Sequence, residues 1–170
     1  MNFFAVSKHD NFEAINKNIF QLKKFYKIFS YTIVVPDKEV ITFNNSFDTK
    51  IREIIEIIPE SKFITFEKFK ELYIDTLKSL NLKKNKFDSI GWYYQQALKL
   101  AFVLENCLDK GIVMIDADTI LLNKLDFFIN DKSIIYLTPY ERNFPYIDII
   151  EHIFKYKFTN WYSATSQIFS

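Results

Sequence analysis

The chain has 170 residues, a formal net charge of +1, and 49% hydrophobic and 25% charged residues. That length and balance suit one globular domain spanning 1–170 with a real hydrophobic core. Near-neutrality gives no argument for a polyanionic partner, so no nucleic acid is expected.

Gly91 and Gly111 are the only glycines. A three-glycine dinucleotide fingerprint and a P-loop are therefore excluded, and a nucleotide bound here would need its phosphates held another way, by a metal before anything else. Cys107 is the only cysteine. No internal disulfide can form, and a reducing, cytoplasmic compartment is expected. The segment Met1–Val6 is too short and lacks the basic lead of a signal peptide. No apolar run reaches membrane-spanning length. Lysines cluster at Lys23, Lys24 and Lys27 and at Lys83, Lys84 and Lys86. The plain reading is solvated surface; the sharper one is peripheral association with an anionic inner membrane face.

Phe3–Val6 reads as a short buried strand. Asp10 and Glu13 make a capping-box pattern ahead of a helix whose Phe12, Ile15, Ile19, Leu22, Tyr26 and Phe29 share one face. Tyr31–Val35 is a β-branched strand stopped by Pro36 and Asp37. Strand, helix and strand in that order predict a βαβ unit and a parallel sheet. A helix is expected from Asp48 to about Ile58, a third strand at Lys62–Thr65, a helix at Phe66–Leu82 and a lysine-rich loop at Asn81–Ser89. The next helix, Trp92–Asn106, offers Tyr93, Ala97, Leu100, Ala101 and Leu104 as core contacts. Gly111 opens the clearest strand, Ile112–Ile115, whose unbroken apolar character suits a central position covered on both faces. Ser133–Leu137 and Ser163–Phe169 read as strands and Ile147–Phe154 as a helix. The fold class is therefore α/β: a mostly parallel sheet with helices on both faces.

Asp116 and Asp118 sit where the apolar strand stops. Ligands of open α/β sheets bind beyond the carboxyl ends of strands. Two carboxylates one residue apart can share one hard divalent cation if the chain bends at Ala117, and Mn2+ or Mg2+ would bridge them to a diphosphate. The alternative is two solvated carboxylates at a strand-to-loop turn.

The stretch Gly91–Phe128, with Gly-Trp-Tyr-Tyr-Gln-Gln-Ala-Leu-Lys-Leu leading to Ile-Asp-Ala-Asp-Thr-Ile-Leu-Leu-Asn-Lys-Leu, resembles the donor-site region of GT-A-type glycosyltransferases. It is most similar to an uncharacterised bacterial glycosyltransferase-like family with a Trp-x-x-Gln-Gln-x-x-Lys-Leu helix before its Asp-x-Asp strand, and more distantly to the family-8 glycosyltransferases. The resemblance implies a GT-A-like, Rossmann-like fold and transfer of a sugar from a nucleotide-sugar donor to a glycan or lipid-linked acceptor, as in bacterial polysaccharide biosynthesis. It implies that Asp118 coordinates the metal and that Asp116 contacts the metal or the donor ribose. It further implies that Lys99 neutralises the diphosphate and that Gln95 or Gln96 holds a sugar hydroxyl beside Trp92. Asp37 would read the nucleobase, and Lys8, His9 and Asp10 would line the crevice, although helix capping alone accounts for Asp10.

GT-A enzymes usually continue into an acceptor-shaping segment that often supplies a later histidine. Here His9 and His152 are the only histidines, and His152 fits a surface position on an amphipathic helix. The resemblance thus implies a domain truncated at its C-terminus, and a donor-binding or assembly remnant is the alternative to an active transferase. Haloacid-dehalogenase-like phosphatases also place Asp-x-Asp after an apolar strand, but Thr119 comes one position early for that pattern and no glycine is near.

Overall fold

A computed structural model describes residues 1–27, 29–79, 90–106, 111–129, 132–133 and 166–169. The main sheet contains β1 (Asn2–Val6), β2 (Ser30–Val35), β3 (Ile55–Pro59), β4 (Ile112–Ile115) and β7 (Ser166–Phe169), in the spatial order β3-β2-β1-β4-β7. The first four are mutually parallel; β7 runs antiparallel to β4, with Ile115 opposite Ser166 and Ile112 opposite Phe169. Two short strands, β5 (Phe128–Ile129) and β6 (Lys132–Ser133), pair separately. The helices are α1 (Phe12–Phe25), α2 (Val40–Ser46), α3 (Thr49–Arg52), α4 (Phe66–Ser79) and α5 (Ile90–Asn106).

The period-two alternation of strand side chains divides the core into two layers. Phe3, Ala5, Tyr31, Ile33, Val35, Val113 and Ile115 pack on one face against Ile15, Ile19 and Leu22 of α1, Phe43 of α2 and Ile51 of α3. Phe4, Val6, Val34, Ile58, Ile112 and Met114 pack on the other against Tyr94, Leu98, Phe102 and Val103 of α5, with Phe66 and Phe69 of α4 alongside. The fold is α/β, with a mostly parallel sheet and helices on both faces. Every residue of β4 is buried, as a central strand requires. At the mouth of β4, a methyl group on Gly111 would collide with the Phe128 ring, which explains a glycine there.

Four local expectations are corrected. The segment expected to be one helix to Ile58 instead splits into α3 and β3; its Ile-Glu-Ile-Ile run is β-branched and pairs with β2 from Tyr31↔Ile55 to Val35↔Pro59. β3 is the edge strand, where Pro59 removes no needed ladder donor. Lys62–Thr65, expected to be a strand, follows a single 3-10 turn at Glu60–Lys62. The Asp10 capping box does not form: His9–Asn11 is a 3-10 turn, and α1 has no side-chain cap.

The fourth correction concerns α5. Tyr93, Leu100 and Leu104, expected in the core, are exposed, while Tyr94, Leu98, Lys99, Phe102 and Val103 are buried. The helix carries apolar residues around most of its circumference, so hydrophobicity alone does not choose the inward face. A buried ammonium must meet a counter-charge, and Lys99 finds it in Asp116, which fixes the rotation. The loop at 81–89, the helix at 147–154 and most of the strand at 133–137 lie outside the described residues.

Phe4 is fully buried and stacks on Phe102 with ring centroids 3.8 Å apart. It joins β1 to α5 at the centre of one layer. Phe4→Ala should therefore lower the unfolding free energy by about 3–5 kcal/mol in urea denaturation. A loss below about 1 kcal/mol would show that this layer is not tightly packed.

Candidate functional site at the β1–β4 crevice

The strand order places a topological switch point between β1 and β4. From β1 the chain proceeds through α1 to β2 on one side; β4 joins the other side of β1 after α4 and α5, which pack on the opposite face. The connections diverge and leave a crevice at the carboxyl ends of the two strands, the usual ligand position in open α/β sheets.

Strand parity builds the β4 side. Ile115 points to the α1 layer, so Asp116 falls on the α5 side, Ala117 returns to the α1 layer, where it is buried, and Asp118 is exposed. The Thr119 amide donates to the Asp116 carbonyl at 2.9 Å and closes a turn across the two carboxylates. Burial of the Ala117 methyl anchors that turn to the core and leaves the flanking aspartates at the edge.

Helix α5 supplies the roof. Lys99 Nζ donates to Asp116 Oδ1 at 2.5 Å, and one turn earlier Gln95 Nε2 donates to the Val6 carbonyl at 3.3 Å. Gln95 and Lys99 are four apart and so share a helix face, which spans the end of β1 and the end of β4. Lys99 is buried, Gln95 and Gln96 are half-buried, and Trp92 is largely exposed, with its ring edge-on to Tyr93 at 5.0 Å. The Lys99 ammonium, expected on a diphosphate, is thus on Asp116.

At the end of β1, Ser7 is buried and its amide donates to the Val34 carbonyl at 2.9 Å. Lys8 is exposed at the same edge. His9 turns toward α2: its amide donates to Glu39 Oε2 at 2.7 Å, and its ring stacks on Phe12 at 5.4 Å, lies edge-on to Phe43 and has Nε2 3.2 Å from Ser46 Oγ. Asp10 is exposed. Asp37 follows β2 on the same sheet edge, two strands from Asp116, and its two carboxylate oxygens accept from the Ser61 amide and the Ser61 hydroxyl.

The sequence reading missed the supports of this edge. Asn18, buried on the apolar face of α1, accepts at Oδ1 from the Leu121 amide at 3.2 Å. The Tyr26 hydroxyl donates to the Leu125 carbonyl at 2.7 Å and accepts from the Leu125 amide at 3.2 Å. Both hold the strand-to-loop segment after Asp118 onto α1. An asparagine amid Ile15, Ile19 and Leu22 was a usable signal, because a polar group on an apolar helix face must have a partner. Beside Asn18, burial pushes the Tyr31 phenol well above its ordinary value, and the negative charge of Asp116 adds to this.

Among the described residues no three His, Cys, Asp or Glu side chains gather to hold a metal, but Mg2+-type sites commonly use one or two carboxylates with phosphate and water completing the shell. Asp116 and Asp118 flank the buried Ala117 at this edge, with one Asp116 oxygen engaged by Lys99.

The chain belongs to DUF6492, a family of unknown function. The family model matches residues 6–169, which include the carboxyl end of β1 and all of α5 and β4. No curated protein and no solved structure matches the chain. Among the described residues of this DUF6492 member, no helix is long and apolar enough to cross a membrane.

Burial first, and the charge of Asp37 second, hold the Glu60 carboxyl above its ordinary value, with Tyr94 beside it partly offsetting them. Below the ordinary value Glu60 is neutral in both folded and unfolded states. As pH rises through the unfolded and then the raised folded value, ionisation penalises the folded state. Glu60→Gln should therefore melt about 1 °C above wild type at neutral pH, a small effect because the group is partly solvated. The difference should vanish toward pH 3, where the wild-type carboxyl is neutral in both states. A variant less stable than wild type at neutral pH would show that the carboxylate makes net favourable contacts.

Proposed function

We propose that this chain is the donor-binding domain of a metal-dependent GT-A-type glycosyltransferase, transferring a sugar from a nucleotide-sugar to a glycan or lipid-linked acceptor. One observation carries the reading: the Asp116–Thr119 turn lies at the switch-point crevice with Asp116 held by Lys99 from the helix that bears the Trp-x-x-Gln-Gln-x-x-Lys-Leu pattern. A chain without a glycine-rich phosphate loop needs another means of holding a diphosphate, and this edge offers it.

Asp118 and Asp116 would hold Mn2+ or Mg2+. When bound, such a cation neutralises charge on the diphosphate as it leaves the sugar. The protein's own part is positional. Lys99 fixes the direction of the Asp116 carboxylate, and the buried Ala117 keeps Asp118 at the rim. Gln95 keeps the end of β1 beside α5 through the Val6 carbonyl, and Gln96 and, nearer the helix start, Trp92 border that face. Lys8 adds an exposed cation at the same edge, and Asp37 with Ser61 forms the nucleobase side. A cytoplasmic location with peripheral contact at the inner membrane face belongs to the same proposal and suits a lipid-linked acceptor.

Isothermal calorimetry with a nucleoside diphosphate tests this. Appreciable binding is expected only with Mn2+ or Mg2+. Asp118→Asn keeps the size but loses a charged oxygen ligand and should weaken binding about tenfold or more. Asp116→Asn should weaken it less if Asp116 mainly contacts ribose. Lys99→Ala should reduce diphosphate binding while leaving free nucleoside unaffected. Equal affinity with and without metal, or normal binding by Asp118→Asn, would reduce the carboxylate pair to a solvated turn.

A further inference from the structure

The face of α5 turned away from the sheet has the composition of a core face. Tyr93 is 37% exposed, Leu100 56% and Leu104 69%, with Ala97 and Ala101 half-buried beside them. An outer helix of an α/β fold normally presents charge to water. From Tyr93 to Leu104 this stripe carries none, and Lys99 is on the opposite, buried side. Tyr93, Ala97, Leu100 and Leu104 recur at steps of four, three and four, the spacing of a coiled-coil seam.

That spacing is complementary to itself. If two α5 helices lie antiparallel about a two-fold axis, Tyr93 faces Leu104 of the second copy and Ala97 faces Leu100. At the centre a small side chain meets a large one, as knobs-into-holes packing requires, and no charge meets its like. We propose that this stripe is a homodimer interface, with a second copy of the chain packed antiparallel along Tyr93–Leu104. The proposal is independent of the donor-site reading.

An anionic lipid surface, drawn by Lys83, Lys84 and Lys86, would need neither the seam spacing nor the small-against-large pairing. The described charges of α4 are also balanced by the Lys68–Glu71 and Lys78–Asp75 ion pairs, so that helix adds no attraction for such a surface. The exposed apolar area of the stripe is on the order of 300 Å² per copy, below the ~800 Å² of a standard interface, so the dimer should form in the micromolar range rather than at high dilution.

Sedimentation across a micromolar concentration series tests the proposal. The wild-type mass should rise from the 20.4 kDa of one chain toward twice that value. Leu100→Lys alone and Ala97→Glu alone should stay monomeric, with melting curves close to wild type. The double variant should dimerise again, because position 97 faces position 100 of the second copy. A wild type that stays at 20.4 kDa, or single variants that dimerise normally, would overturn the proposal. A double variant that fails to recover would overturn the antiparallel register. Binding of the monomer to anionic vesicles would assign the stripe to a membrane instead. Loss of cooperative folding in Leu100→Lys would show that the stripe is covered within one chain.

Discussion

An ammonium group cannot be left in an apolar layer without a counter-charge, and in this chain that requirement joins a helix to a strand end. Lys99 is buried between α5 and the sheet, and its partner is Asp116, the first residue beyond β4. Removing one member of a buried pair commonly costs several kcal/mol, because the other is left uncompensated; the partial exposure of Asp116 tempers that cost here. The pair chooses which face of α5 turns inward, and so which aromatic residues reach β1. It also fixes the direction of one of the two carboxylates on which the donor-site reading rests.

Around that contact, the site follows from topology and parity. Parallel strands bring all their carboxyl ends to one side, so Ser7, Asp37 and Asp116 share an edge despite their separation in sequence. The reversal between β1 and β4 opens that edge only where the two connections diverge. Strand alternation then sends Asp116 toward α5 and Ala117 toward α1. The two layers therefore grip the turn from both sides: Lys99 holds it from one, while Asn18 and Tyr26 fasten the following loop from the other.

The consequence on the far side of α5 comes from the same choice. A helix apolar around most of its circumference, once rotated to bury Lys99, must leave one apolar stripe outside. In an enzyme reading this separates two surfaces of one helix: an inner face that shapes the crevice and an outer face available to another molecule. Trp92 lies between them, near the start of the helix.

The sequence by itself determined the βαβ start, the central strand Ile112–Ile115, helices on both faces and the Asp-x-Asp motif at a strand end. These rest on local signals: β-branched runs, three- and four-residue apolar steps, and scarce glycine. It misplaced β3, because Ile55–Ile58 is a short apolar run that suits a helix or a strand until a neighbouring strand offers hydrogen bonds. It also chose the wrong face of α5, because a stripe of Tyr93, Ala97, Leu100 and Leu104 is as hydrophobic as the one that is buried. Only the tertiary structure decided that Lys99 reaches Asp116, that Asp37 is engaged by Ser61, and that His9 packs among aromatic rings. Those outcomes depend on which side chains the sheet order brings within a few ångströms of one another, and spacing along the chain does not encode that distance.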